Sequence, residues 1–176
     1  GDTAVVFGAG TMGLLNLMVL KKSGLRVAVV DVNEGRLAKA TSLGADVVLK
    51  AGPDIRDRVK ATFLGGVDFS IAAYGSEEVN QDALDVLNNR GKICLFASAH
   101  PVTPFAIDPN LMHNRETSAV GVVSADRRDH AVATDLIANK QIDLSPIIDA
   151  TFPLIEAAAA FERATSTPSY RVMLHP

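Results

Sequence analysis

The residues whose types and spacing could do chemistry begin at the eighth position. Gly8-Ala9-Gly10-Thr11-Met12-Gly13 is a GxGxxG run that follows the apolar stretch Ala4-Val5-Val6-Phe7 and opens into a helical pattern. Each glycine answers a different demand. Gly8 permits a tight turn, Gly10 removes the Cβ that would hold a pyrophosphate off the backbone, and Gly13 lets a helix lie close on a sheet. The amides of Thr11 and Met12 then point at the phosphates from a helix N-terminus, where negative charge is favoured and no lysine is needed. Asp31 stands 23 residues after Gly8, at the end of a second apolar run, Val27-Ala28-Val29-Val30. A carboxylate there accepts both hydroxyls of an adenosine ribose and repels a 2′-phosphate. Neither Val32 nor Asn33 brings a cation to receive such a phosphate, so the pattern points to NAD rather than NADP. Arg36, one helical turn on, is placed to pack on adenine or to approach Asp31. The plainer alternatives are a tight βα turn for the glycines, a helix cap for Asp31 and an ordinary exposed helix residue for Arg36.

A doubly wound sheet is what would position these groups. Further apolar runs follow at Val47-Val48-Leu49, Val67 to Ala73, Ile93 to Ala97 and Ala119 to Val123, continuous rather than alternating and rich in β-branched residues. Strands buried on both faces of a parallel sheet read this way. Helical patterns fill the intervals: Met12–Ser23, apolar nearly all round and so deeply packed; Glu34–Leu43, ending at Gly44; Asp54–Phe63; a stretch behind Ser76-Glu77-Glu78, which reads as an N-cap with acids in the first turn; and Asp126–Lys140. Right-handed βαβ crossovers then predict an α/β Rossmann fold, six parallel strands in the order 3-2-1-4-5-6 with helices on both faces. The dinucleotide domain is expected over residues 1–140.

Two segments break the rhythm. Residues 98–116 hold Pro101, Pro104 and Pro109 and are expected to form a long loop. After Lys140 a short strand near Ile147-Ile148, an alanine-rich helix Pro153–Thr165 and a terminal strand Tyr170–Leu174 are expected, a short α/β appendage over 141–176.

In such sheets ligands sit over the carboxyl ends of the strands, where strand order reverses. Ala73 and Tyr74, with Gly75, after strand four should border the adenosine half. Phe96 and Ala97 after strand five, and Val122 and Val123 ending strand six, should lie towards the nicotinamide. Plain core packing is the alternative for this group.

Composition narrows the rest. Seventeen basic residues against 20 acidic ones leave a net charge of −3, which argues against a nucleic-acid or membrane-surface partner. The 48% apolar content supplies a core, and no apolar run nears the roughly 18 residues of a membrane span. Gly1-Asp2-Thr3 has no look of a signal peptide, and Cys94, the single cysteine, can make no internal disulfide, so a cytoplasmic protein is expected. A catalytic metal needs about three convergent ligands. Cys94, His100, His113, His130 and His175 are scattered over strand, loop, helix and terminus, with Cys94 read as a small buried hydrophobe. No Tyr-x-x-x-Lys pair occurs, since Tyr74 is followed by Glu78 and Tyr170 by Leu174, and neither a Gly-x-Ser-x-Gly nor a Walker run is present. The chain is expected to hold a cofactor grip without a reaction centre and without a metal site.

Gly1 to Gly13 resembles the start of the coenzyme domain in the zinc-type medium-chain alcohol and polyol dehydrogenases. So do Arg36-Leu37-Ala38-Lys39-Ala40, Leu43-Gly44-Ala45-Asp46, Arg90-Gly91-Lys92-Ile93, Ile107 to Met112 with its continuation to Val120-Gly121-Val122, and Phe152-Pro153-Leu154. The resemblance covers essentially the whole chain and leans to the sorbitol and threonine dehydrogenase branch. Where the family usually carries an acid at the end of strand four, this chain has Ala72.

The resemblance implies an NAD-dependent oxidoreductase acting on a secondary alcohol, a polyol or a hydroxy-amino acid. Residues 141–176 would return to a catalytic domain whose main part, with the zinc ligands, lies outside this chain; the chain alone would then be inactive. It also implies a homodimer through strand six, whose edge carries no charge or proline for protection. Two other classes stay open: a stand-alone nucleotide-sensing module, which has no use for the tail, and a zinc-free quinone or enoyl reductase, which would favour NADP.

Overall fold

In the computed structural model, which describes residues 1–166 and 169–176, the apolar runs become six parallel strands. They are β1 (Thr3–Phe7), β2 (Arg26–Asp31), β3 (Val47–Lys50), β4 (Val67–Ala72), β5 (Leu87–Leu95) and β6 (Ser118–Gly121), in the order β3-β2-β1-β4-β5-β6. The helices between them are α1 (Thr11–Lys22), α2 (Glu34–Ser42), α3 (Ile55–Thr62), α4 (Glu77–Asp85) and α5 (Pro109–Arg115). Strand order and helix placement are those of the expected Rossmann fold. The chain divides into two units, Gly1–Ala125 and Asp126–Pro176.

Alternation along the central strands feeds two cores. Val5, Phe7, Ala28 and Val30 join Ile55 and Val59 of α3, Ala83 and Leu84 of α4, and Ile93 in one buried cluster. Val6 faces the other way, where α1 lies on it, and Leu14 and Leu17 of α1 are fully buried. The expectation of an all-round buried α1 is met on one side only, because Met12 and Val19 are exposed. Both α1 and α2 end in the same way. Gly24 and Gly44 adopt left-handed φ of 83° and 92°, and the residue after each donates to the carbonyl five residues back, Leu25 to Leu20 and Ala45 to Ala40. That pattern closes the last turn and stops the helix. Ser76 caps α4 by accepting from the Val79 amide. Between helices, Arg56 of α3 reaches Asp82 and Asp85 of α4 at 2.5 and 2.8 Å.

Three expectations need correction. Residues 98–116 are not all loop, since Pro109 opens α5 and Asp108 caps it by accepting from the Asn110 and Leu111 amides. Proline at the first helical position is a start signal, and the nearby Pro101 and Pro104 masked it. β5 begins at Leu87 rather than Ile93, through a bulge that puts Arg90 at φ 63°. β6 stops at Gly121, so Val122 and Val123 follow the strand instead of ending it. The helix α6 (Arg127–Ala138) opens the second of the two units.

The second unit contains α6, β7 (Ile148–Pro153), α7 (Ala157–Ser166) and β8 (Arg171–His175), with β7 and β8 paired in parallel. Asp126 and Asp129 form a reciprocal capping box at the start of α6. Ile147 and Ala160 are buried, whereas Leu154, Ile155 and Phe161 are exposed. No helix among the described residues is long and apolar enough to cross a membrane.

Two carboxylates tie the amino ends of the strands. Asp68 Oδ2 accepts from the Thr3 amide and hydroxyl, both at 2.8 Å, and Asp46 Oδ2 accepts from the Val27 amide at 2.7 Å and from Lys21 at 2.6 Å. Burial works against the charge in both. The Thr3 donors at Asp68, and Lys21 with the Val27 amide at Asp46, outweigh it and hold both acids below their ordinary value. A depressed folded pKa gives stability that is present above the unfolded value, about 4, and is lost as pH falls through the folded value. The melting temperature should therefore fall as pH drops below about 4. Replacing both residues (Asp46→Asn, Asp68→Asn) should flatten that acid limb; a limb of unchanged steepness would place the acid sensitivity elsewhere.

Candidate functional site

The glycine turn leaves β1 at its carboxyl end, where strand order reverses between β1 and β4. Gly8 has φ 107°, a conformation that suits glycine, and its amide donates to the Val30 carbonyl at 2.7 Å. A Cβ on Gly8 would touch the Ala73 backbone at 3.4 Å and Tyr74 Cβ at 3.5 Å, so the turn after β4 lies directly against it. Gly13 is tighter. A Cβ there would stand 1.8 Å from the Gly8 carbonyl oxygen. Gly10 is the opposite case, with nothing within 4 Å of the position its Cβ would take. Gly10 is also the N-cap of α1; no side chain caps that end, and no acid sits in the first turn. A helix N-terminus that faces open space over a bare backbone is the geometry an anionic diphosphate requires.

Asp31 closes β2 and is 7% exposed. Its Oδ2 accepts from the Ala9 amide at 2.7 Å and its Oδ1 from the Asn33 amide at 2.8 Å. A carboxylate offers about four lone-pair sites, so each oxygen keeps one for a further donor. Two remaining acceptor sites match the two vicinal hydroxyls of a ribose. A 2′-phosphate brings no donor to either.

Asp31 is not the cap of α2. That position belongs to Asn33, whose side chain accepts from the Arg36 amide at 3.1 Å. Arg36 is half-buried on the first turn of α2.

The later strand ends are drawn together unequally. The Phe96 and Ala97 amides both donate to the Ala72 carbonyl, at 3.2 and 3.0 Å, which turns the chain leaving β5 towards the end of β4. Gly75 fits under that turn: a Cβ there would stand 2.3 Å from the Ser98 carbonyl oxygen. Tyr74 is largely exposed, and Val122 and Val123 lie past β6, exposed as well. Three contributors escaped sequence reasoning, namely Ala9, Asn33 and the Gly75–Ser98 contact. Only Asn33 carried a signal, an Asx residue directly before the acid that opens a helix.

Two cavities in the first unit lie elsewhere. One of about 480 Å³ is lined by Gly65, Asp68, Leu87, Asn88, Asn89 and Arg115, near the amino ends of β4 and β5. A smaller one, about 160 Å³, lies between α4 and α5. Cys94 is half-buried in β5 and burial pushes its thiol pKa up. Among the described residues no three His, Cys, Asp or Glu side chains gather as a metal would require.

A family model described as zinc-binding dehydrogenase matches residues 11–139. L-idonate 5-dehydrogenase of Vitis vinifera is 29% identical over 172 residues, 90% of this chain and 45% of that protein. Sorbitol dehydrogenase of Rattus norvegicus is 28% identical, over 99% of this chain and 49% of its own length. Among solved structures, benzyl alcohol dehydrogenase from Acinetobacter calcoaceticus superposes with a TM-score of 0.86 at 24% identity, covering 98% of this chain and 49% of that one. A protein described as a short chain alcohol dehydrogenase from E. coli CFT073, solved with NADH, also gives 0.86 at 22% identity, over 100% and 52%. The chain spans about half the length of the curated relatives it matches.

Proposed function

The chain belongs to the zinc-binding dehydrogenase family, and we propose that it is the NAD(H)-binding portion of a zinc-dependent alcohol or polyol dehydrogenase. One observation carries this: the open volume in front of Gly10, at the start of α1, with the buried Asp31 carboxylate behind the same turn. The diphosphate rests on the turn, with Thr11 and Met12 at the helix start. Gly8 and Gly13 shape the turn, and Asp31 takes the ribose hydroxyls. Arg36, Ala73 and Tyr74 border the adenosine, while Phe96, Ala97, Val122 and Val123 lie towards the nicotinamide. When bound, nicotinamide supplies the hydride acceptor, and this chain's share of the chemistry is to hold and orient it.

The substrate class is a secondary alcohol, either a polyol or a hydroxy-amino acid, in keeping with relatives named for idonate, threonine and sorbitol. Residues 1–140 are the dinucleotide domain and 141–176 return to a catalytic domain that carries the zinc. The exposed Leu154, Ile155 and Phe161 of the tail favour a unit completed by further protein. The intact enzyme is cytoplasmic and dimeric. Its dimer joins β6 edges, because β6 is hydrogen-bonded to β5 on one side only and Val120 is exposed; the mass of the chain in solution tests this.

Calorimetric titration of the 176-residue chain with NADH and NADPH tests the cofactor assignment. NADH should bind at least tenfold tighter. A preference for NADPH would contradict the role given to Asp31.

A further inference from the structure

We infer that Asp31 is a positioning residue for the phosphate-binding turn as well as a ribose ligand, holding the turn in its binding shape before any cofactor arrives. This builds on the dinucleotide assignment above and adds a role at the same site. The two successive amides that enter the turn are both anchored to the end of β2. Gly8 donates to the Val30 carbonyl at 2.7 Å, and Ala9 donates to Asp31 Oδ2, also at 2.7 Å. Ala9 is fully buried, so without Asp31 its amide would be a buried donor lacking this partner. The orientation of that peptide plane sets the direction in which the chain passes Gly10 into α1. The other oxygen of the same carboxylate accepts from Asn33, which caps α2. One side chain thus links the phosphate turn, the ribose position and the start of α2.

Acceptor arithmetic separates this role from sugar binding. A carboxylate serves two amides and two hydroxyls with its four sites. An asparagine at position 31 has one carbonyl oxygen, and its NH2 group would face the second amide donor to donor. Asp31→Asn must give up one of the two backbone bonds whether or not a ribose is present. A residue that touched the sugar alone would show no such loss in the free protein.

The test compares NADH with its analogue lacking the adenosine 2′- and 3′-hydroxyls, on the parent chain, on Asp31→Asn and on Asp31→Ser. Both variants should bind the hydroxyl-free analogue at least fivefold more weakly than the parent does. Analogue affinity equal to the parent's, beside weakened NADH, would leave Asp31 as a sugar ligand only and overturn the positioning role while the cofactor assignment stands. Amide hydrogen exchange in the ligand-free chains gives an answer independent of binding. Exchange at Ala9 should rise at least tenfold in Asp31→Ser, and at either Ala9 or Asn33 in Asp31→Asn, while Val6 and Val29 stay protected. Unchanged exchange at Ala9 in Asp31→Ser would overturn the tether even if NADH binds as proposed. Loss of protection at Val6 and Val29 in both variants would make Asp31 a support of the whole sheet and equally end the local role. A parent chain that bound neither ligand, yet showed the expected exchange at Ala9, would sink the cofactor assignment and keep the tether.

Discussion

Gly13→Ala is expected to melt about 10 °C below the parent chain, although the substitution puts the best helix former into a helix. Intrinsic propensity would favour alanine there by roughly 1 kcal/mol. Sterics decide the opposite sign. The added Cβ would stand 1.8 Å from the Gly8 carbonyl oxygen and 2.8 Å from its carbon, distances that no rotamer can relieve because both partners are backbone. Gly8 cannot swing away cheaply, since its amide is bonded to Val30 and its other flank rests on Ala73. The helix must lift instead, and Leu14 and Leu17, fully buried beneath it, lift too. Overpacking costs about 1–3 kcal/mol and more where backbone must shift, and for a chain of this size each kcal/mol moves the melting temperature by roughly 2–4 °C. Calorimetry on the two chains reads the result directly. An unchanged or higher melting temperature would mean that α1 does not lie on the turn as described.

The central half of the fold was legible because its signals are local. Continuous β-branched runs, the glycine stop at Gly44, and the Ser76 cap each act within a few residues, and all survive into the structure. The misreadings come from signals that need a partner. The first half of β5, Leu87 to Lys92, is polar and bulged, and only pairing with β4 makes it a strand. Val122 and Val123 look like strand by composition, but pairing with β5 reaches no further than Gly121. At the candidate site the glycines and Asp31 could be named from spacing alone. What Asp31 holds could not, because the Ala9 amide that meets it comes from a residue with no side-chain signature, 22 positions away. Gly75 is similar: its need for glycine arises from Ser98, on a different strand's exit.

Gly10→Ala should do the reverse of Gly13→Ala, keeping the fold and losing the ligand. Gly10 has φ −72° and ψ −176°, extended backbone that any residue adopts, and no atom lies within 4 Å of the new methyl. Folding stability should hold or rise by about 0.4–1 kcal/mol, because alanine restricts the unfolded chain. The methyl would, however, fill the space where the diphosphate must approach the backbone. Forcing a group into occupied volume costs about 1–3 kcal/mol, so NADH affinity should drop by roughly 5- to 150-fold. Calorimetric titration and a melting curve on the same sample separate the two effects. The pairing of outcomes is what discriminates, because a general packing role for the glycines would make both variants unstable, whereas a ligand cradle makes only Gly13 essential to the fold. A Gly10→Ala chain that melts like the parent and binds NADH equally well would move the diphosphate off this turn altogether.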